Sequence, residues 1–381
     1  MPKSNKIGDR AIALHRKFQG KFAIAPRTPL RSRDDLSLLY TPGVGAVSSL
    51  IGKNKKLVWD LTMKGRTIAV VSDGSAILGL GNLGPEAALP VMEGKCVIFK
   101  AFADVDAVPL VLDTQDSEKI IETVKFLAPA FGGINLEDIS APRCFEIEEA
   151  LKRELDIPVM HDDQHGTAIV VLAALLNALK VAKKRLARAR IVVVGAGAAG
   201  TAVVKLLIHA GARDIIILDS KGIIARHRKD LEPYKKELAQ LVNHKGLEGG
   251  LEEAMLGADV VIGVSGPNII HPEHVRMMKP GAIVFALANP VPEIMPDLAQ
   301  KAGAAIVATG RSDFPNQINN SLAFPGVFRG ALDNRVRRIT DDMKYRAAVA
   351  IASLVKKPSP DEIIPSMFDK RLVKAVARVI R

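Results

Sequence analysis

The sequence predicts an α/β fold of two domains: an N-terminal α/β domain over residues 1–160 and a C-terminal Rossmann-type domain, with a doubly wound parallel sheet, over residues 161–381. Three observations support this prediction. A chain of 381 residues is long enough for two domains. Short apolar runs of strand length recur along it, separated by helical patterns. In the second half, a glycine-rich turn joins one of these runs directly to a helix.

The composition argues against several classes of protein. Apolar residues make up 48% of the chain and charged residues 25%, as in soluble globular proteins. No unbroken apolar run reaches membrane-spanning length and the N-terminus lacks a signal-peptide core, so we expect no membrane partner. Two cysteines, Cys96 and Cys144, cannot form a disulfide framework and favour a cytoplasmic location.

The net charge of +12 would be compatible with binding to nucleic acid. The basic residues are scattered in short clusters, and only 4% of residues are aromatic, which leaves little surface on which bases could stack. We therefore expect small anionic ligands and no nucleic acid. A nucleic-acid-binding protein that retains an unused dinucleotide fold stays open as the remote alternative.

The N-terminal half begins with a basic, helical stretch over residues 1–35 and a constrained turn at Pro42–Gly45. Tyr40 precedes this turn, and taken alone it is typical of a half-buried surface residue. A strand at Thr67–Val71 leads to a first Gly-x-Gly-x-x-Gly match at Gly79–Gly84. Seven residues separate the strand from the first glycine, so this match lacks the tight elbow of a dinucleotide site.

Further elements of the first half follow from the same patterns. After the first glycine match we expect helices at Pro85–Met92, Ser117–Phe126 and Pro142–Leu155, the second of them capped by Ser117. Strands are expected at Cys96–Phe99 and Pro109–Leu112. Asp104 follows the first of these strands at the distance of a ribose-binding acid.

Two acidic pairs follow strand-like runs. The run Ile157–Met160 breaks into Asp162 and Asp163, flanked by histidines, before a long apolar helix that we expect over residues 166–181. Glu137 and Asp138 follow an apolar segment in the same way. Grouped carboxylates suit Mg²⁺ or Mn²⁺ rather than zinc. Helix capping and solvated loop charges are the alternative interpretations.

The second glycine match, within Ile191–Gly200, has the full context of a dinucleotide-binding βαβ unit. A strand abuts its first glycine, a helix starts at its third, and a strand at Asp214–Leu218 ends in an acid. We expect the cofactor to contact Gly195, Gly197, Ala198, Gly200 and Asp219. Later strands are expected at Ala258–Ile262, Ala282–Phe285 and Ala305–Val307, each followed by a loop beside the cofactor crevice.

A metal site beside a nicotinamide site suggests oxidation of a hydroxy acid. At this point the sequence resembles the malic enzyme family, in its compact bacterial and archaeal form, over most of the chain. Six segments carry the resemblance: Leu39–Val44, Ser72–Gly74 with Leu78–Glu86, Met92–Lys95, Ile134–Ile139, His161–Thr167, and Asn319–Asn320 with Phe324–Val327.

The resemblance implies oxidation and decarboxylation of (S)-malate to pyruvate and CO₂. It implies that Lys95 is the general base on the substrate hydroxyl, helped by Asp162, and that Tyr40 protonates the enol. By the same resemblance, Glu137, Asp138 and Asp163 would hold Mg²⁺ or Mn²⁺, and the protein would be a homodimer or a larger homo-oligomer. Asn289 and Asn320 match positions that touch cofactor or malate.

Two features leave alternatives open. Larger eukaryotic relatives carry an arginine that binds the substrate carboxylate where this chain has Ala76. Asp219 favours NAD, whereas nearby Lys221, Arg226, Arg228, Lys235 and Lys236 could pair with the 2′-phosphate of NADP; the sequence leans slightly to NAD. A different metal-assisted hydroxy-acid or amino-acid dehydrogenase on the same frame is the rival function.

Overall fold

The computed structural model describes residues 4–77 and 79–381. Residues 1–3, part of the predicted N-terminal helical stretch, and Leu78, part of the first glycine-rich segment, lie outside the described residues. The chain forms two sheets flanked by helices, the first parallel and the second parallel except for one edge strand, and the predicted two-part α/β fold is confirmed.

The first sheet has four parallel strands in the order β2-β1-β3-β4. They are β1 (Thr67–Ser72), β2 (Asp106–Val111), β3 (Gly133–Leu136) and β4 (Val159–His161). The helices of this half are α1 (Ser4–Phe18), α2 (Arg33–Leu39), α3 (Gly43–Lys53), α4 (Val58–Leu61), α5 (Pro85–Ala103), α6 (Ser117–Leu127) and α7 (Arg143–Glu154), with short 3₁₀ turns at Lys55–Leu57, Met63–Arg66 and Ala128–Ala130.

The second sheet has the order β10-β9-β8-β5-β6-β7. Its strands are β5 (Arg190–Val194), β6 (Asp214–Asp219), β7 (Gly222–Ile223), β8 (Val260–Gly263), β9 (Ala282–Ala286) and β10 (Ala304–Thr309). Five strands are parallel, as predicted, and the short edge strand β7 pairs antiparallel with β6. Crossing from β5 to β8 reverses the strand order, and such a switch point is where open α/β sheets bind their ligands.

The remaining helices connect the second sheet and close the chain. They are α8 (Asp162–Val181), α9 (Ala198–His209), α10 (Pro233–Leu241), α11 (Leu251–Met255), α12 (Pro272–Arg276), α13 (Pro296–Lys301), α14 (Phe324–Asp333), α15 (Asp341–Ser353) and α16 (Leu372–Ala377), with 3₁₀ turns at Leu186–Arg188 and Asn320–Leu322.

Helix α8 joins the two halves. It is long and apolar enough to span a membrane by length and composition alone, but 72% of its apolar window is buried inside the protein. This burial is what a core helix requires. The closing helix α14 packs back on the first half, where the ring centroid of Phe99 lies 4.7 Å from that of Phe324 and 5.6 Å from that of Phe328.

Three predicted element assignments are wrong. Cys96–Phe99 is part of α5 and not a strand, because Met92, Cys96, Phe99 and Ala103 recur at helical spacing and bury one face of a continuous helix. Helix α8 begins at Asp162, so both aspartates lie in its first turn and not in a loop before residue 166. The cap of α6 is Asp116 rather than Ser117, since the Asp116 carboxylate accepts from the amides of Glu118 and Lys119.

Candidate active site

The two acidic pairs meet because their strands are neighbours. β3 and β4 run parallel and Leu136 pairs with His161, so the residues that follow each strand emerge at the same edge of the sheet. Glu137 and Asp138 leave the end of β3, and Asp162 opens α8 directly after β4. The register thereby gathers carboxylates that are 25 residues apart in the chain, as in the bond from the Asp138 amide to Asp163 Oδ2 at 2.8 Å.

Three of these carboxylates could hold a metal ion. Glu137, Asp138 and Asp163 each offer an oxygen, and these atoms all lie within 4.8 Å of one another. Glu137 and Asp138 are buried, whereas Asp163 is partly exposed. Buried carboxylates this close repel each other unless a cation lies between them, and an all-oxygen set suits a hard divalent ion. The residues present therefore fit Mg²⁺ or Mn²⁺.

Lys95 lies beside this cluster. It projects from α5, and its Nζ is 2.5 Å from Asp162 Oδ2 and 2.9 Å from Glu137 Oε1. The ammonium also faces the ring of Phe324 at 4.5 Å. Lys95 is 8% exposed and Asp162 fully buried, so the pair is shielded from bulk water while remaining next to the three-carboxylate cluster.

Burial and charge act in opposite directions on these groups. Burial opposes the ammonium form of Lys95, but the Asp162 and Glu137 carboxylates outweigh it and raise the pKa of Lys95 above its ordinary value. Burial raises the pKa of Glu137 and of Asp162, and the neighbouring Lys95 only partly offsets this rise. The structure thus holds an ammonium between two carboxyl groups that have gained proton affinity.

A buried glutamate that sequence reasoning does not identify holds the start of α8. Glu148, on α7, accepts from the His161 amide at 2.8 Å and from His165 Nε2 at 2.9 Å, and Lys152 lies 3.1 Å away. Burial would raise the pKa of Glu148, but its cationic and hydrogen-bonding partners hold that pKa below its ordinary range. The available signal in the sequence is a charged residue inside the apolar stripe formed by Cys144, Ile147 and Leu151.

The second glycine match forms the expected elbow between β5 and α9. Gly195 has a φ of 114°, and a Cβ at Gly200 would lie 1.8 Å from the Gly195 carbonyl oxygen, so both positions require glycine. A Cβ at Gly197 would meet nothing within 4 Å. That open space lies at the N-terminus of α9, whose first residue is Ala198, where a pyrophosphate is favoured.

Asp219 lies at the end of β6 and faces the same crevice. A cavity of about 840 Å³ is lined by both Gly195 and Asp219. Asp219 is already paired: Arg228 contacts both of its oxygens at 2.8 and 3.3 Å, and Lys235 contacts Oδ2 at 3.2 Å. The acid predicted to accept a ribose hydroxyl is therefore surrounded by positive charge.

The two predicted asparagines contact different loops of the molecule. The Asn289 carbonyl oxygen approaches the first-half loop so closely that a Cβ at Gly79 would lie 2.2 Å from it. Asn320 packs against Gly166, one turn along α8 from Asp162. Ala76 is also near, because its amide donates to the Asp138 carbonyl at 2.9 Å. Ala76 and Asn320 thus lie beside the acidic cluster, whereas Asn289 contacts the loop of Gly79.

Two candidate residues lie apart from the cluster. Tyr40 ends α2 with 67% of its surface exposed, and its side chain makes no hydrogen bond or ring contact among the described residues. Asp104 ends α5 before β2 begins, at the opposite end of the sheet from the acids, and pairs with Lys100 and Arg66. Asp104 is therefore not a ribose-binding acid.

Comparison with known families identifies the chain. The family model for the malic enzyme N-terminal domain matches residues 19–152, and that for the malic enzyme NAD binding domain matches residues 164–380. The chain belongs to the malic enzyme family. The resemblance carried by the six sequence segments is confirmed. The malic enzyme matches leave the predicted boundary after residue 160 untested, and it stays a prediction.

Known malic enzymes resemble the chain along nearly its whole length. The bifunctional malic/malolactic enzyme of Bacillus subtilis is 54% identical over 98% of this chain and 92% of its own. The NADP-dependent malic enzyme of Halomonas elongata is 46% identical over 97% of this chain and 92% of its own. The crystal structure of the NAD-dependent malic enzyme of Thermotoga maritima is 50% identical, with a TM-score of 0.94 and coverage of 97% of this chain and 98% of that one.

Proposed function

We propose that this protein catalyses the oxidative decarboxylation of (S)-malate to pyruvate and CO₂ with reduction of NAD or NADP. The observation that carries the proposal is the buried Lys95–Asp162 pair beside three clustered carboxylates, in a chain of the malic enzyme family whose glycine elbow is built for a dinucleotide. A hydride acceptor, a metal site and a proton-transferring pair are what this reaction requires.

We propose Glu137, Asp138 and Asp163 as the residues that hold Mg²⁺ or Mn²⁺. Bound there, the ion would act as a Lewis acid toward the C2 oxygen of the substrate. Lys95 would lie between the metal site and Asp162, because its Nζ contacts both Glu137 and Asp162. The proposal is supported by the mutual distances of the three carboxylates and by their all-oxygen chemistry.

Lys95 and Asp162 would move the hydroxyl proton together. Lys95 could accept a proton only as a neutral amine, and Asp162, whose Oδ2 contacts Nζ, is the group that would take up the ammonium proton. The two groups are in direct hydrogen-bond contact, so no third group would be needed between them. The neutral amine would then take the proton from the malate hydroxyl, and the nicotinamide, when bound, would supply the hydride acceptor.

The remaining steps need a proton at carbon. The β-keto acid left after hydride transfer loses CO₂, and the resulting enol takes a proton at C3 to become pyruvate. Tyr40 is our candidate donor by family resemblance. Asn289 and Asn320 would contact malate or the nicotinamide by family resemblance, and Asn320 packs against Gly166 beside Asp162.

We propose a homodimer or larger homo-oligomer. Helices α2 and α3 contain no buried residue, and exposed apolar side chains recur over the N-terminal region, among them Ile7, Phe18, Ile24, Leu30 and Leu38. A face of this kind is costly in water unless a second copy covers it. Tyr40 lies within this region, so assembly decides its final surroundings. Light scattering of the Leu38→Glu variant should give a smaller species than wild type.

The cofactor could be NAD or NADP. A carboxylate has about four hydrogen-bonding positions. On Asp219 these are engaged by Arg228, by Lys235 and by the Lys221 amide at 3.0 Å. The charge that would repel a 2′-phosphate is therefore neutralised. We propose that the protein accepts both cofactors. Asp219 alone suggests a slight preference for NAD, and its pairing with basic residues weakens that preference.

We propose a cytoplasmic location and malate as the small-molecule partner, without nucleic acid. Cys96 and Cys144 are both buried and unpaired, which favours a reducing compartment. The deciding experiment follows reduction of NAD and of NADP with malate and Mn²⁺ while pyruvate is assayed. Reduction coupled one-to-one to pyruvate supports the proposal, whereas turnover of another acid without CO₂ would support the rival dehydrogenase.

A further inference from the structure

The first turn of α8 is held from outside the helix. Its N-cap, His161, makes no side-chain cap, although the amides at the start of a helix need acceptors. The missing acceptor for the His161 amide is Glu148 Oε1, 2.8 Å away on α7. Because Asp162 and Asp163 follow His161 directly, this bond fixes the position of the backbone that carries both side chains.

The second oxygen of Glu148 holds the other side of the same turn. Glu148 Oε2 accepts from His165 Nε2 at 2.9 Å and from Gln164 Nε2 at 3.4 Å, and it pairs with Lys152 at 3.1 Å. Three of the four donors belong to the N-cap and first turn of α8, residues 161–165. One carboxylate thus contacts the N-cap of the helix and again its third and fourth residues.

The burial of Glu148 argues against a simple packing role. The side chain is 1% exposed and lies among Cys144, Ile147 and Leu151, where an apolar residue would pack without any cost in desolvation. A buried carboxylate is tolerated only when its oxygens are fully used by donors. Here three of the four donors are on the turn that carries the two aspartates, so the position of Glu148 and the position of that turn determine each other.

We propose that Glu148 is a positioning residue for the active site, which sets the direction of Asp162 toward Lys95 and of Asp163 toward the metal site through the backbone and side chains of the first turn of α8. This inference rests on the proposed function. It assigns Glu148 no contact with substrate, cofactor or metal.

The test compares Glu148→Gln with Glu149→Gln. Glutamine keeps the shape of Glu148 but turns one acceptor into a donor, which would then face another donor. Glu149 is the matched control, because its side chain is 71% exposed and pairs with the same Lys152 at 3.1 Å. The measurements are Mn²⁺ affinity by calorimetry, NAD affinity, and hydrogen exchange of a peptide spanning residues 161–166.

We expect Glu148→Gln to weaken Mn²⁺ binding at least tenfold and to speed exchange in this peptide at least tenfold, with NAD affinity within twofold of wild type. Glu149→Gln should leave all three within twofold. A folded Glu148→Gln protein with wild-type Mn²⁺ affinity and exchange overturns the proposal. If Glu148→Gln does not fold, the His165→Ala variant is used, because it removes one of the donors to Glu148. Unchanged Mn²⁺ affinity and unchanged exchange in His165→Ala would also overturn the proposal.

The exchange measurement separates this inference from the proposed function. If wild-type protein neither binds Mn²⁺ nor oxidises malate, the proposed function fails. The comparison of exchange in residues 161–166 then still decides whether Glu148 holds the turn. Faster exchange in Glu148→Gln, and not in Glu149→Gln, supports the positioning role independently of turnover.

Discussion

Lys95 Nζ lies 2.5 Å from Asp162 Oδ2, although the two residues are 67 positions apart and come from different helices. Lys95 is on α5, which packs on the first sheet, and Asp162 is on α8, which connects the first sheet to the second. The proposed proton-transferring pair therefore exists only when both elements are in place.

Replacing Lys95 by Ala should abolish malate oxidation while leaving NAD binding intact, because the amine is the proposed proton acceptor and lies away from the glycine elbow. Loss of a general base costs on the order of 10²–10⁴-fold in rate. Steady-state kinetics and NAD titration check this. Lys100→Ala, on the exposed face of the same helix, is the control and should keep wild-type turnover. Near-normal turnover in Lys95→Ala would remove Lys95 from the mechanism.

Replacing Asp163 by Ala should remove both metal binding and activity, since one of three clustered oxygen ligands is lost. Mn²⁺ titration followed by calorimetry should show at least tenfold weaker binding. Asp342→Ala changes the second residue of α15, the same position that Asp163 occupies in α8, but on an exposed surface. An unchanged Mn²⁺ titration in Asp163→Ala would contradict the ligand role.

Gly166→Ala should impair catalysis without a change in charge. A Cβ there would lie 1.8 Å from Asp162 Oδ1, so Asp162 must turn away from Lys95. We expect kcat to fall at least tenfold. Gly52→Ala, in α3, adds the same methyl group where nothing lies within 4 Å, and it should be silent. Equal kcat values in the two variants would show that the position of Asp162 does not matter.

Lys235→Met should weaken the use of NADP more than that of NAD. The substitution removes a cation 3.2 Å from Asp219 and so restores negative charge where a 2′-phosphate would lie. We expect kcat/KM for NADP to fall about tenfold, which corresponds to about 1.4 kcal/mol. Lys245→Met removes a comparable pair with Asp214 at the other end of β6 and serves as the control. A parallel loss with both cofactors would exclude a role in discrimination.

Lys64→Met should destabilise the fold without touching the active site. Lys64 is buried, and its Nζ donates to the carbonyls of Ala128, Pro129 and Phe131 at 2.7–3.1 Å. Three carbonyls would lose this donor, so we expect the free energy of unfolding to fall by about 2–4 kcal/mol. Urea unfolding checks this, with Lys56→Met as an exposed control.

The same lysine gives a pH dependence. Burial lowers the pKa of Lys64 from its ordinary 10.5, so near that pH the unfolded chain binds more protons than the folded one. The stability contributed by Lys64 therefore rises as the pH rises toward 10.5. The gap in unfolding free energy between wild type and Lys64→Met should widen between pH 8 and pH 10. A constant gap would mean that the pKa of Lys64 is not lowered in the folded protein.

Much of the fold could be predicted because it follows from local pattern. The elbow at Gly195–Gly200 shows a strand, a turn and a helix within a few residues, and the structure has each of them. The run Cys96–Phe99 misleads because four apolar residues fit a strand as well as a buried turn of helix. Only the spacing of Met92, Cys96 and Phe99 over a longer stretch separates the two.

The sequence by itself determined the family, the two-part α/β class and the identity of the grouped acids, since these depend on residue type and on short spacings. Only the tertiary structure decided what those acids face. The parallel register of β3 and β4 brings Glu137 and Asp138 to Asp163, and the packing of α5 brings Lys95 to Asp162. The long-range pairing of Glu148 with the start of α8 was likewise hidden, because contacts between distant elements depend on how sheets and helices pack and leave no mark in local spacing.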